Sequence, residues 1–85
     1  MRKNSVKNNR INGEVQRELS RIISREIKDP RISPMTSVVD VVVTPDLKFC
    51  KAYISVLGDQ DAVDSTFAGL NSAMGYIRRE LAHSV

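Results

Sequence analysis

The sequence has few of the residues that build disulfides, metal sites and aromatic platforms. Its 85 residues include one Cys, one His, no Trp, two Tyr and two Phe. A single cysteine excludes an internal disulfide framework, and one Cys with one His cannot supply the ligands of a zinc site. The four glycines are scattered, so there is no glycine-rich phosphate loop. No catalytic constellation surrounds His83, and we therefore expect no enzyme, no metal and no cofactor.

Long apolar runs are also missing. No stretch approaches the roughly 20 consecutive apolar residues that span a bilayer, and polar residues follow the basic start where a signal peptide would be apolar. We expect one small cytoplasmic domain, because a chain of this length has no room for a second. Cys50 lies among strand-like apolar residues, which predicts a place in the core.

The net charge of +3 is distributed unevenly. Residues 1–35 carry nine Lys or Arg against four Asp or Glu, whereas residues 36–64 carry two against five. A basic segment beside an acidic one can orient a domain on a polyanion. The alternative is an ordinary solvated helix face.

The first half of the chain predicts an arm, a helix and a strand. Residues 1–9 are polar and basic without periodicity, which indicates a flexible arm. Apolar spacing then predicts a helix from about Asn9 or Asn12 to Lys28. The valine-rich segment 36–44 predicts a strand covered on both faces. Residues 49–57 predict a second strand, paired with the first in an antiparallel hairpin.

Two polar features accompany these elements. Asp29 and Pro30 should end the first helix, because proline cannot continue a helix and restricts the residue before it. Asp40 lies in the middle of the valine strand, where an unpaired carboxylate would be expensive to bury. We expect Asp40 to face solvent or to meet Lys51 across the hairpin.

A second apolar stripe with helical spacing runs through residues 61–81. Its members are Val63, Phe67, Leu70, Met74, Ile77 and Leu81. The weak helix formers from Asn71 to Gly75 fall inside the stripe, which predicts two helices joined by a kink. The alternative is one long helix that tolerates a glycine. The order helix, strand, strand, helix, kink, helix defines an α+β domain over residues 10–85.

The candidate binding residues are cations and the backbone of the kink. Arg17, Arg21 and Arg25 are spaced four residues apart and form one ridge on the first helix. Like charges at this spacing repel, so the ridge indicates an anionic partner such as phosphate, although Glu14, Glu18 and Glu26 can partly compensate these charges. The full set of candidate nucleic-acid-binding residues is Arg10, Arg17, Arg21, Arg25, Lys28, Arg31, Ser72, Ala73, Met74, Gly75, Arg78 and Arg79.

Five segments resemble the bacterial ribosome-binding factor A family. They are Arg17–Lys28, Glu26–Ile32 (EIKDPRI), Val42–Leu47 (VVTPDL), Ala52–Gly58 (AYISVLG) and Leu70–Leu81 (LNSAMGYIRREL). The resemblance implies a KH-like fold of type II in which an Ala-x-Gly kink, here Ala73-Met74-Gly75, replaces the usual Gly-x-x-Gly loop. It also implies a cytoplasmic, non-catalytic assembly factor that binds the free small (30S) ribosomal subunit and its 16S rRNA. Such a factor promotes late maturation and rRNA processing, and we expect it to be a monomer.

The chain differs from the family in one respect, and two other functions remain as alternatives. Family members continue into a third strand, so the domain is expected to be truncated after Val85 relative to them. A general single-stranded RNA-binding KH module is a second reading, against which the missing Gly-x-x-Gly loop argues. A protein interaction adaptor is a third, and its binding would depend little on salt.

Overall fold

The computed structural model describes residues 6–46 and 48–84, with residues 6–9 described by their backbone alone. The elements in order are α1 (Val6–Arg21), a π-helical turn (Ile22–Glu26), β1 (Thr36–Val43), β2 (Cys50–Val56), α2 (Gln60–Ser72) and α3 (Met74–Ser84). This order confirms the α+β class. Residues 1–5 of the predicted arm lie outside the described residues. None of the described helices has the length and apolarity needed to cross a lipid bilayer.

Helix α1 differs from its prediction at both ends. It already includes Val6, so neither Asn9 nor Asn12 caps it; Asn12 is instead a buried residue inside the helix. At the other end the predicted continuous helix to Lys28 is wrong. The α-helix stops at Arg21, and the π turn is closed by a hydrogen bond from the Ile27 amide to the carbonyl of Ile22, five residues back, at 3.1 Å.

The two strands form an antiparallel hairpin that runs from the pair Thr36 and Val56 to the pair Val43 and Cys50. A β-bulge at Val39 interrupts the register, since Val38 pairs with Ile54 and Asp40 pairs with Tyr53. Because of this extra residue, the alternation of side chains that face the core is shifted by one position after Val39.

The bulge explains why the valine strand is covered on one face only, against the prediction. Val38, Val41 and Val43 are buried, whereas the side chain of Val39 is exposed. Asp40 is half-buried and its carboxylate accepts a hydrogen bond from the Val41 amide at 2.9 Å. A dense run of valines therefore does not require two covered faces when a bulge changes the phase.

One apolar core lies between the sheet and the helices. Its buried members are Val15, Leu19, Ile22, Ile23, Val38, Val41, Val43, Leu70 and Ile77. Two residues of the predicted α2–α3 stripe are more exposed than expected, because Phe67 and Met74 each keep 39% of their surface. Cys50, predicted in the core, is also exposed. The core is thus built on β1, and the β2 side is thinner.

The predicted kink between the last two helices is confirmed. Helix α2 starts at its N-cap Asp59, whose carboxylate accepts a hydrogen bond from the Ala62 amide at 2.9 Å. Ala73 alone separates α2 from α3, which begins at Met74. The Ala73 carbonyl accepts a hydrogen bond from the Ile77 amide at 2.9 Å and closes the first turn of α3.

The loop after the π turn packs directly on α2. The Ser33 amide donates a hydrogen bond to the hydroxyl of Thr66, a fully buried residue, at 3.0 Å. A Cβ at Gly69 would lie 2.8 Å from Cγ1 of Ile32, so only glycine allows this approach. The loop that carries Arg31 is therefore held in place by α2.

Candidate nucleic-acid interface

The arginines of α1 do not form one continuous ridge of unpaired cations. Arg17 is exposed on α1, and Arg25 is exposed within the π turn, where the α-helical spacing no longer holds. Arg21 lies between them and is only partly exposed. Its guanidinium donates hydrogen bonds from Nε and Nη2 to Oε1 of Glu18, at 3.1 and 2.9 Å.

Arg21 has a second anionic partner, Glu26, which its Nη1 contacts directly. Hydrogen bonds to Glu26 and then to Glu18 raise the pKa of Arg21 and keep it charged. The two carboxylates offset that charge locally. Arg21 is thus a structural cation in the unbound protein rather than one presented to a partner.

Glu26 also connects the end of α1 to the kink. The Tyr76 hydroxyl donates a hydrogen bond of 2.6 Å to Oε1 of Glu26. This hydrogen bond, followed by that from Arg21, lowers the pKa of Glu26. It also raises the pKa of the Tyr76 hydroxyl. The contact brings the first turn of α3 close to Arg25 and Lys28, which flank Glu26 in the sequence.

Arg31 is likewise paired within the chain. Its amide donates to Oδ1 of Asp29 at 2.9 Å, and its Nη2 donates to Oδ2 at 2.7 Å. These bonds lower the pKa of Asp29. The Ser65 hydroxyl donates to the Arg31 carbonyl at 3.0 Å and ties the loop to α2. The side chain of Arg31 remains 46% exposed, so it stays accessible from solvent.

The kink itself presents open backbone. Ser72, Met74 and Gly75 are exposed, and Ala73 is half-buried against the core. A Cβ at Gly75 would meet nothing within 4 Å, so packing within the described chain does not require a glycine there. The position could admit the backbone of another molecule.

The two arginines of α3 lie on different sides of that helix. Arg79 is three residues after Tyr76 and shares its face. Arg78 instead lines the mouth of an apolar groove near Phe49 and Leu81. The structure therefore places Tyr76, whose face Arg79 shares, against Glu26 in the segment that also holds Arg25 and Lys28, whereas Arg78 lines the groove. Arg10 is also remote, since the 15 residues from Arg10 to Arg25 correspond to about 22 Å of helix.

Six of the candidate cations are exposed and have no ion-pair partner among the described residues. Among the described residues no ion pair involves Arg10, Arg17, Arg25, Lys28, Arg78 or Arg79, and all six are exposed.

A family model for ribosome-binding factor A matches residues 7–85. The chain belongs to the ribosome-binding factor A family. Among its relatives, ribosome-binding factor A of Lachnospira eligens is 72% identical over the whole chain and that of Agathobacter rectalis 69%. The protein of Caldanaerobacter subterraneus is 44% identical over the same 85 residues. The chain spans 65% of the Lachnospira protein and 70% of each of the other two.

Sequence reasoning on this member of the ribosome-binding factor A family missed the contact between Glu26 and Tyr76. They are 50 positions apart, and neither belongs to a ridge of like charge. No periodic pattern could pair them, because their contact depends on how α3 crosses the end of α1. A glutamate within a basic segment was the only signal available.

The apolar groove between β2, α2 and α3 was also missed in this ribosome-binding factor A domain. Phe49, Ala52, Ile54, Phe67, Met74 and Leu81 are among its lining residues. Phe49 keeps 71% of its surface exposed and precedes β2, although it was predicted to be the first residue of that strand. Exposure of this kind depends on what covers the sheet, which local sequence does not reveal.

Proposed function

We propose that this chain is a non-catalytic assembly factor that binds the immature small ribosomal subunit through its 16S rRNA. It acts in the cytoplasm, as a monomer, on free subunits rather than on assembled ribosomes. Binding promotes late maturation of the subunit and processing of its rRNA. Membership of the ribosome-binding factor A family supports the ribosome as the partner.

The observation that carries the proposal is the contact between the start of α3 and the π turn, which is followed by Lys28. The Tyr76–Glu26 hydrogen bond brings the start of α3 beside the segment that holds Arg25 and Lys28. The first amides of a helix have no intrahelical partners and favour an anion. Exposed cations beside exposed backbone at Gly75 are suited to a phosphate chain.

Recognition should depend on phosphates and shape more than on bases. Structured RNA is read largely through its backbone, whereas single strands are read by stacking on aromatic side chains. Two Tyr and two Phe offer little stacking surface. The partner is therefore a folded rRNA rather than a short single strand.

Cosedimentation with small subunits, large subunits and assembled ribosomes, at low and moderate salt, tests the proposal. We expect selective association with free small subunits that weakens steeply as salt rises, because phosphate contacts release counterions. Equal binding to all three particles, or to none, would refute it.

A charge reversal tests the surface itself. Arg25→Glu with Lys28→Glu should abolish subunit binding, since both cations are exposed and unpaired in the described chain. The matched control is Lys48→Glu with Lys51→Glu, which changes the net charge equally on the sheet side. If both double variants lose binding equally, net charge rather than this surface is responsible.

Gly75 gives a steric test. A side chain fits there without a clash in the free protein, so Gly75→Leu should leave the fold intact. It should weaken subunit binding if RNA backbone approaches the kink. Gly13→Leu is the control, because Gly13 lies in α1 and the one atom near its Cβ would be Nη1 of the Arg17 side chain, at 4.0 Å.

The apolar groove supports one other function, that of a protein interaction adaptor. Phe49 and Phe67 are exposed there without a described partner. Binding through such a surface would persist at high salt and would survive the Arg25→Glu, Lys28→Glu change. The salt series therefore separates the two functions.

A further inference from the structure

Glu26 contacts two different helices through its two oxygens. Oε1 accepts the hydrogen bond from the Tyr76 hydroxyl at 2.6 Å, and Oε2 contacts Arg21. Arg21 extends the chain of contacts to Glu18, 2.9 Å from its Nη2. A side-chain connection therefore runs Glu18, Arg21, Glu26, Tyr76, and we call it the Glu26 link.

The Glu26 link restricts rotation and sliding of α3, which apolar packing alone allows. Ile77 packs in the core and Leu81 packs against it, but such contacts are not directional and allow α3 to rotate or slide. A hydrogen bond restricts both distance and angle. Among the described residues, the Tyr76–Glu26 bond is the hydrogen bond that joins α3 to residues 6–28.

The negative charge of Glu26 does not help the surface to attract a polyanion. Its carboxylate lies in the sequence between Arg25 and Lys28, where a negative charge weakens attraction for phosphate. The same carboxylate holds Arg21 within the protein. A surface that must fit phosphates at fixed spacing gains from groups that are ordered before binding.

We infer that Glu26 is a positioning residue, which together with Tyr76 sets the distance between the Ala73–Gly75 kink and the segment that holds Arg25 and Lys28. This inference rests on the proposed function, since it states how that surface keeps its shape for rRNA. Glu26 and Tyr76 act through the Glu26 link and do not themselves contact the RNA.

The test measures affinity for free small subunits of the wild-type chain, Tyr76→Phe, Glu26→Ala and the double variant. Tyr53→Phe is the matched control, because it removes the hydroxyl of an exposed tyrosine on the sheet. Tyr76→Phe should weaken binding by about threefold to tenfold, the scale of one ordinary hydrogen bond at a solvent-accessible site. Adding Tyr76→Phe to Glu26→Ala should cause no further loss, and Tyr53→Phe should have no effect.

Two outcomes would overturn the inference. Wild-type affinity in Tyr76→Phe would mean that the link does not position the surface. Equal losses from Tyr76→Phe in the wild-type and Glu26→Ala backgrounds would mean that the hydroxyl contacts RNA directly. The salt dependence gives a further check, because Tyr76→Phe should leave its slope unchanged whereas Arg25→Gln should reduce it by about one phosphate contact.

Amide hydrogen exchange in the free protein separates this inference from the proposed function. Tyr76→Phe and Glu26→Ala should both speed exchange of the hydrogen-bonded amides of Ile77 and Ile27, while Tyr53→Phe should not. Unchanged exchange refutes the link even if the wild-type chain binds subunits. If the variants exchange faster but the wild-type chain binds no subunit, the link is supported and the proposed function is rejected.

Discussion

The two outer edges of the sheet differ in whether other parts of the chain cover them. On the β1 side the side chains of α1 cover the strand: the buried Asn12 accepts a hydrogen bond from the Val43 amide at 2.9 Å, and Gln16 donates one to the Val38 carbonyl at 3.1 Å. On the β2 side no described strand pairs with the edge, and the exposed Phe49 lies at its start.

Burial follows the same division. β1 contributes Val38, Val41 and Val43 to the core, whereas no residue of β2 is fully buried. An uncovered strand edge leaves backbone groups available for pairing with another strand. The comparison teaches that the stability of this domain resides in the contact between α1 and β1, while the β2 side is available for further contacts.

The largest effect is expected from a cavity on the closed side. Ile22 has no exposed surface, so Ile22→Ala should lower the free energy of unfolding by about 2–5 kcal/mol. Urea denaturation followed by circular dichroism measures the change. Val39→Ala, at an exposed position of β1, is the control and should change the free energy by less than about 0.5 kcal/mol. Equal effects of the two variants would contradict a core built on β1.

The next effect concerns the closed edge itself. Asn12→Ala removes the acceptor of the Val43 amide and leaves a buried donor unsatisfied, which should cost about 1–3 kcal/mol of stability. The exposed helical Asn71 provides the control through Asn71→Ala, for which little change is expected. A cost no greater than that of the control would show that α1 is not needed to satisfy this edge.

The open side should respond weakly. Phe67 is 39% exposed, so Phe67→Ala should cost about 1 kcal/mol, well below the 3–5 typical of a buried phenylalanine. In a longer chain that carries the third strand implied by the family resemblance, the same change should cost more, because the strand would cover the groove. An equal cost in both chains would show that the extra segment does not pack there.

The smallest effect is a dependence on pH at the Glu26 link. The folded-state pKa of Glu26 is lower than its ordinary value of about 4.5, so its contribution is complete at neutral pH and is lost as pH falls through the folded-state pKa. Unfolding measured from pH 7 to pH 3 should therefore show a shallower decline for Glu26→Gln than for wild type. A curve for Glu26→Gln identical to that of wild type would contradict the assignment.

The sequence predicted what depends on local patterning. The apolar spacing of α1 and the weak helix formers before Gly75 each act within a few residues, and the structure has the corresponding helices and kink. The predicted burial of Phe67 was wrong, because helical spacing defines a face but does not determine whether anything covers it.

The misses at the interface have a different cause. Arg21 fitted a ridge of cations by spacing, yet its two carboxylate partners lie on either side of it along the chain and the π turn brings Glu26 within reach. The bulge at Val39 likewise changes which valines face the core. The π turn and the bulge depart from regular geometry because of tertiary packing, so a periodic sequence pattern does not predict them.

The place of the one thiol makes the open edge directly measurable. Cys50 is the single cysteine of the chain and lies exposed at the start of β2, beside the groove. Partial burial raises the pKa of its thiol, so alkylation at neutral pH should be slow enough to follow by mass spectrometry. Any molecule seated on that edge would slow the modification further. The unaltered protein thus carries its own footprinting probe, which reports whether the β2 side is occupied when a ribosomal subunit is bound.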